Sequence, residues 1–139
     1  MQRTGGQIVA EFLIRQGMPY IAGIPGHGCL GLVDALLERQ KELRVLQVRA
    51  EMAAVHLADG YYRACGQPLA VFTSIGPGAC NTVIGAATAY VDGSPAMIFN
   101  GDVHTYMFGK GVLQEIERAH WADSPQVLAP VTKRRWQVH

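Results

Sequence analysis

Leu69-Ala70-Val71-Phe72-Thr73 constrains this chain most: five residues, almost all apolar, with no polar alternation. A strand that faces water on one side alternates, whereas one covered on both sides does not, so the run predicts a buried parallel strand. Parallel neighbours need crossover helices, and the flanking sequence supplies them. Thr4 followed by Gln7 is a capping-box pattern, and Ile8, Val9, Phe12 and Leu13 form a helical stripe that Gly17 is placed to end. Residues 20–24 read as a strand, and Leu30 to Leu37 as a helix after the turn Pro25-Gly26-His27-Gly28. Residues 45–48 make a second strand, Glu51 to Cys65 a third helix, and Gly66-Gln67-Pro68 a turn. Beyond the buried strand, Gly76-Pro77-Gly78 opens a fourth helix expected to run through Tyr90, and residues 95–99 form a fourth strand. That helix is apolar nearly all round, which predicts burial on more than one side. The alternation predicts an α/β fold, a mostly parallel sheet with helices on both faces. Such sheets place ligands at the carboxyl ends of their strands.

The 139 residues amount to one domain, and 49% hydrophobic against 17% charged residues is a globular balance tilted toward burial. A net charge of +1 gives no electrostatic case for nucleic acid or an acidic membrane, and no apolar run reaches the ~20 residues of a span. Cys29, Cys65 and Cys80 are far apart and odd in number, as free thiols in a reducing cytoplasm would be. His104, His120 and His139 lack metal-ligand spacing with one another, so no metal site is expected.

Two glycine-rich turns, Gly23 to Gly28 and Ser74 to Gly78, each follow a strand and precede a helix. Either could cradle a phosphate on backbone amides, and either could be a tight turn alone. Neither fits the P-loop or dinucleotide fingerprint. Glu51 opens a helix directly after a strand, where an acid complements the helix dipole. The apolar helix behind it sets that carboxylate beside a buried surface, where it is costly unless paired or protonated.

The ordered set of pieces resembles a known family. It comprises Gly-Ile-Pro-Gly at 23–26, Arg-x-Glu-x-Ala-Ala-x-x-x-Ala-x-Gly-Tyr-x-Arg at 49–63, Gly-Pro-Gly-x-x-Asn at 76–81 and Ala-x-x-Asp-x-x-Pro at 89–95. Together these resemble the pyrimidine-binding domain of thiamine-diphosphate-dependent enzymes. Gly101-Asp102-Val103, Leu113-Gln114-Glu115 and Val131-Thr132-Lys133 extend the likeness toward the acetolactate synthase branch.

The resemblance implies a flavodoxin-like domain lacking its last elements, and a cofactor, thiamine diphosphate. Glu51 would hydrogen-bond a nitrogen of the cofactor's aminopyrimidine and help move the proton that activates its thiazolium carbon, after which the ring system serves as an electron sink. Pro25, Gly26, Thr73, Pro77 and Asn81 would form the pyrimidine pocket, and Gln114 would face the substrate. His27 stands where substrates approach, as a candidate proton donor or as a plain loop histidine. Ala50 replaces a histidine that many members carry before the glutamate.

The family holds the diphosphate through Mg2+ on a Gly-Asp-Gly segment of a second domain. Here Val103 follows Gly101-Asp102, so that domain is expected elsewhere, on the same or a partner chain, and the glycine turns are not phosphate sites. The chain is expected to be a truncated piece of a homo-oligomeric cytoplasmic enzyme, dimer or tetramer, and inactive alone. Its expected reaction is carboligation or decarboxylation of 2-keto acids. The alternatives are a cyclic-dione hydrolase of the same superfamily, a non-catalytic assembly module, and a generic flavodoxin-like nucleotide binder.

Overall fold

The computed structural model describes residues 2–116 and 124–138. Helix α1 (Gly5–Arg15) begins at a true capping box: the Gln7 amide donates to Thr4 Oγ1 at 3.2 Å, and the Thr4 amide to Gln7 Oε1 at 3.0 Å. It ends at Gly17, whose φ of +72° turns the chain into strand β1 (Tyr20–Gly23). A single 3-10 turn (His27–Cys29) leads into α2 (Leu30–Leu37), then β2 (Arg44–Gln47), α3 (Glu51–Cys65) and β3 (Leu69–Thr73). Two helices follow, α4 (Pro77–Cys80) and α5 (Val83–Asp92), and then β4 (Ala96–Asn100). A 3-10 turn (Thr105–Met107), α6 (Ser124–Leu128) and a last 3-10 turn (Ala129–Val131) complete the described elements.

The four strands form one parallel sheet in the order β2-β1-β3-β4. The run that opened the argument, β3, is central and buried at every position. Its pleat sends Ala70 and Phe72 to one face and Leu69 and Val71 to the other. On the first face Leu13, Leu36 and Leu43 pack against Ile21 and Phe72, so α1 and α2 cover it. On the second, Ala54, Val55 and Ala58 of α3 cover Ala22, Leu69 and Val71. Each large apolar side chain so enclosed contributes about 1.5–3 kcal/mol.

The fold expected from the sequence is the fold found, and each strand lies within a residue of its expected bounds. The fourth helix departs from expectation. It breaks after Cys80 into α4 and α5, where Thr82 Oγ1 donates to the Ala79 carbonyl at 2.6 Å. Nor is it buried on several sides. Gly85 seats α5 on α3, since a Cβ there would lie 2.6 Å from Val55 Cβ, yet Ile84, Tyr90 and Val91 stay exposed. Arg63 and Asp59 fasten α3 to the end of α5. Arg63 Nε donates to Asp59 Oδ1 at 3.0 Å, and its other end pairs with Asp92.

Candidate active site

The chain leaves β1 for β2 on one side and returns through α3 to β3 on the other. The carboxyl ends of these strands therefore flank a switch point, where parallel sheets open a crevice. A cleft of about 660 Å³ opens there, lined by Glu51, Pro77, Gly78, Cys80, Asn81 and Gln114. That volume suits a small molecule.

Glu51 is the first residue of α3, and its helix begins from an extended Ala50 with no side-chain cap. Its partner comes from the helix break. Asn81, which caps α4, donates from Nδ2 to Glu51 Oε2 at 2.6 Å. The other carboxylate oxygen lies on the Gly78 side, where an added Cβ would stand 3.3 Å from Oε1. Glycine at 78 thus keeps the approach to Oε1 open. Pro77 occupies the first position of α4, where its fixed φ suits a helix start.

Gly76 holds φ +53° and ψ −113°, a conformation closed to other residues, and its missing Cβ makes room for the Gln114 carbonyl oxygen. This brings the segment after β4 to the cleft. Among the described residues Gln114 is the one non-glycine with positive φ, +66°.

The remaining sequence-derived candidates lie outside this lining. Thr73 is fully buried below the cleft, its Oγ1 2.9 Å from both Asn100 Oδ1 and the Ser74 carbonyl oxygen. Pro25 and His27 are exposed on the turn after β1, and Gly26 packs against Ser74, where a Cβ would meet Oγ at 2.4 Å. In that turn Cys29 Sγ lies 3.2 Å from the Gly26 carbonyl, and burial pushes its thiol up from the ordinary value. Among the described residues Ser74 Oγ is the one buried side-chain oxygen or nitrogen without a partner. Gly78 and Cys80, which line the cleft, were not singled out from the sequence as pyrimidine-pocket residues, although the Gly-Pro-Gly turn that carries Gly78 was the available signal. His120 and His139 lie outside the described residues. Among those described, no group of three His, Cys, Asp or Glu side chains is placed to hold a metal, and no helix is long and apolar enough to cross a membrane.

Residues 3–121 match the family described as thiamine pyrophosphate enzyme, N-terminal TPP binding domain. The chain is 39% identical over 135 residues to the acetolactate synthase large subunit of Buchnera aphidicola subsp. Acyrthosiphon pisum, covering 97% of this chain and 22% of that protein. It is 38% identical over 135 residues to acetolactate synthase isozyme 3 large subunit of Escherichia coli, with the same coverage of each. To the probable acetolactate synthase large subunit of Methanocaldococcus jannaschii it is 37% identical over 134 residues, 96% of this chain and 21% of that protein. The chain spans about a fifth of the length of these relatives. A parallel α/β domain with a carboxylate at its switch-point cleft, matched by the family over most of its length, belongs to the N-terminal domains of the thiamine pyrophosphate enzymes, and within them it is acetolactate synthase-like.

Proposed function

We propose that this chain supplies the aminopyrimidine-binding half of an active site that joins 2-keto acids, as in the acetolactate synthases it resembles. The observation that carries this reading is Glu51: a carboxylate at the cleft, one oxygen engaged by Asn81 and the other left toward Gly78. The residues present fit an aminopyrimidine. A flat ring with adjacent donor and acceptor nitrogens needs a carboxylate edge and a face clear of Cβ atoms. Glu51 and Gly78 supply these.

When bound, thiamine diphosphate would supply a thiazolium ring able to stabilise a carbanion. The chain's own part is to orient and to move a proton. Asn81 fixes the carboxylate through Oε2, so the proton is exchanged at Oε1. Pro77 walls the cleft beside it, and Gln114 stands at its rim, toward an incoming acceptor. The diphosphate and its Mg2+ would be held by a second domain on the same or a partner chain, and the chain alone would be inactive. The relatives' greater length leaves room for such a domain. The exposed apolar side chains of α5 support a homo-oligomer, and three free cysteines suit a reducing cytoplasm.

The test is product analysis with the full-length protein, pyruvate, thiamine diphosphate and Mg2+. Acetolactate with release of carbon dioxide is expected. Hydrolysis of a cyclic dione, with no carbon–carbon bond formed from pyruvate, would overturn the reading.

A further inference from the structure

Glu115 is a buried acid, only 6% exposed. Among the described residues its carboxylate is held by three backbone amides. Oε1 accepts from the Gly109 amide, and Oε2 accepts from Gly111 at 2.7 Å and Val112 at 3.2 Å. Three amides converging on one carboxylate form an anion cage, here filled by the chain itself. The residue before it, Gln114, is held in the left-handed region and reaches the cleft, and its carbonyl lies in the space that Gly76 leaves open. Strain of this kind persists only where surrounding contacts enforce it. The segment 109–115 is otherwise poor in regular structure, and the Glu115 cage, with the Glu115 amide to the Val112 carbonyl at 3.1 Å, closes it on itself.

We propose that Glu115 is a positioning residue: by gathering the amides of Gly109, Gly111 and Val112 it fixes the backbone that presents Gln114 at the rim of the Glu51 cleft. This deepens the function proposed above and rests on it where Gln114 meets a substrate. The cage itself is a property of this chain's own backbone. A carboxylate is required, because glutamine would turn an NH2 group toward amide donors and leave at least one amide unmet.

The experiment combines amide exchange with a double-mutant cycle in the assembled enzyme. In Glu115→Gln, exchange at Gly109, Gly111 and Val112 is expected to quicken by one to two decades, roughly the worth of a hydrogen bond to a charged group, while amides of β3 keep their wild-type rates. Gln114→Gly, which suits the positive φ, should leave those three amides protected. Turnover of acceptor, as kcat/KM, should fall in Glu115→Gln by up to about a hundredfold, as for a misplaced contact. Adding Gln114→Ala to Glu115→Gln should bring no loss beyond that of Gln114→Ala alone. Unchanged exchange at the three amides overturns the proposal, and so do losses that multiply. Should the glutamine variant not fold, Glu115→Asp, one methylene shorter, must show the same pattern at smaller amplitude. Failure of the cofactor reading is seen separately, in Glu51 variants, and leaves the exchange pattern untouched.

Discussion

Asn81 Nδ2 donates to Glu51 Oε2 at 2.6 Å, joining residues thirty apart in sequence. The bond ties the start of one helix to the end of another, so the geometry of the carboxylate depends on where α4 stops. Had the helix run on through Thr82, Asn81 would sit mid-helix, and no cap would set its direction.

Glu51→Gln should leave the fold and cofactor binding largely intact and slow activation of the thiazolium carbon by on the order of a hundredfold to ten-thousandfold, the usual worth of one positioned proton transfer. A role confined to the helix dipole would instead cost about 0.3–1 kcal/mol of stability and spare turnover. Hydrogen–deuterium exchange at that carbon, with thermal melting alongside, separates the two. Wild-type exchange in the variant would remove the basis of the assignment.

Gly76→Ala should destabilise the protein by about 2–4 kcal/mol, through backbone strain and overlap with the Gln114 carbonyl. Gly31→Ala in α2 is the matched comparison. Its Cβ meets nothing within 4 Å and its φ is ordinary, so a gain of about 0.4–1 kcal/mol is expected. Urea denaturation of the pair decides, and equal stabilities would contradict this account of Gly76.

Acid should act through Asp59. A hydrogen bond from the Ser94 side chain, and then the Arg63 guanidinium, hold its carboxyl below the ordinary value of 3.8. A depressed carboxyl contributes stability above its unfolded pKa, and that stability is lost as pH falls through the folded value. Unfolding free energy should therefore decline more steeply below about pH 4 in the wild type than in Asp59→Asn. Parallel acid limbs in the two proteins would refute it.

Ile84, Tyr90 and Val91 leave α5 with an exposed apolar face, and β2 and β4 leave open sheet edges. The chain alone is expected to self-associate. Sedimentation equilibrium at rising concentration should show mass above the 15.1 kDa monomer, and a clean monomer throughout would count against it.

The strands were legible because β3 is buried on both faces and therefore lacks polar alternation, and Glu51 was legible as the start of a helix after β2, its assigned role coming from the family resemblance. The break at Asn81 was not, because the apolar stripe continues across it and the Thr82 hydroxyl bond to the Ala79 carbonyl that accompanies the stop leaves no pattern in residue types. The contacts of Glu115, a residue the sequence offered only as part of Leu113-Gln114-Glu115, were hidden for a related reason. Its partners are backbone amides of an irregular segment, which leave no pattern in residue types. Arg63, one of the residues that carry the family resemblance, proves to secure α3 to α5 through Asp92 and does not line the cleft.

The turns around the cleft are rich in glycine, a composition usually taken as a sign of looseness. Gly28 argues the opposite. A Cβ there would lie 2.1 Å from Ile75 Cγ2 and 3.2 Å from the Asp102 nitrogen, and one on Gly101 would meet the Gly28 carbonyl carbon at 2.4 Å. The loops after β1, β3 and β4 are thus locked into a single plate, with glycine serving as the missing thickness that lets backbone bear on backbone. A library meant to reshape this site would gain by varying lining side chains such as Cys80 and leaving the glycines as they are.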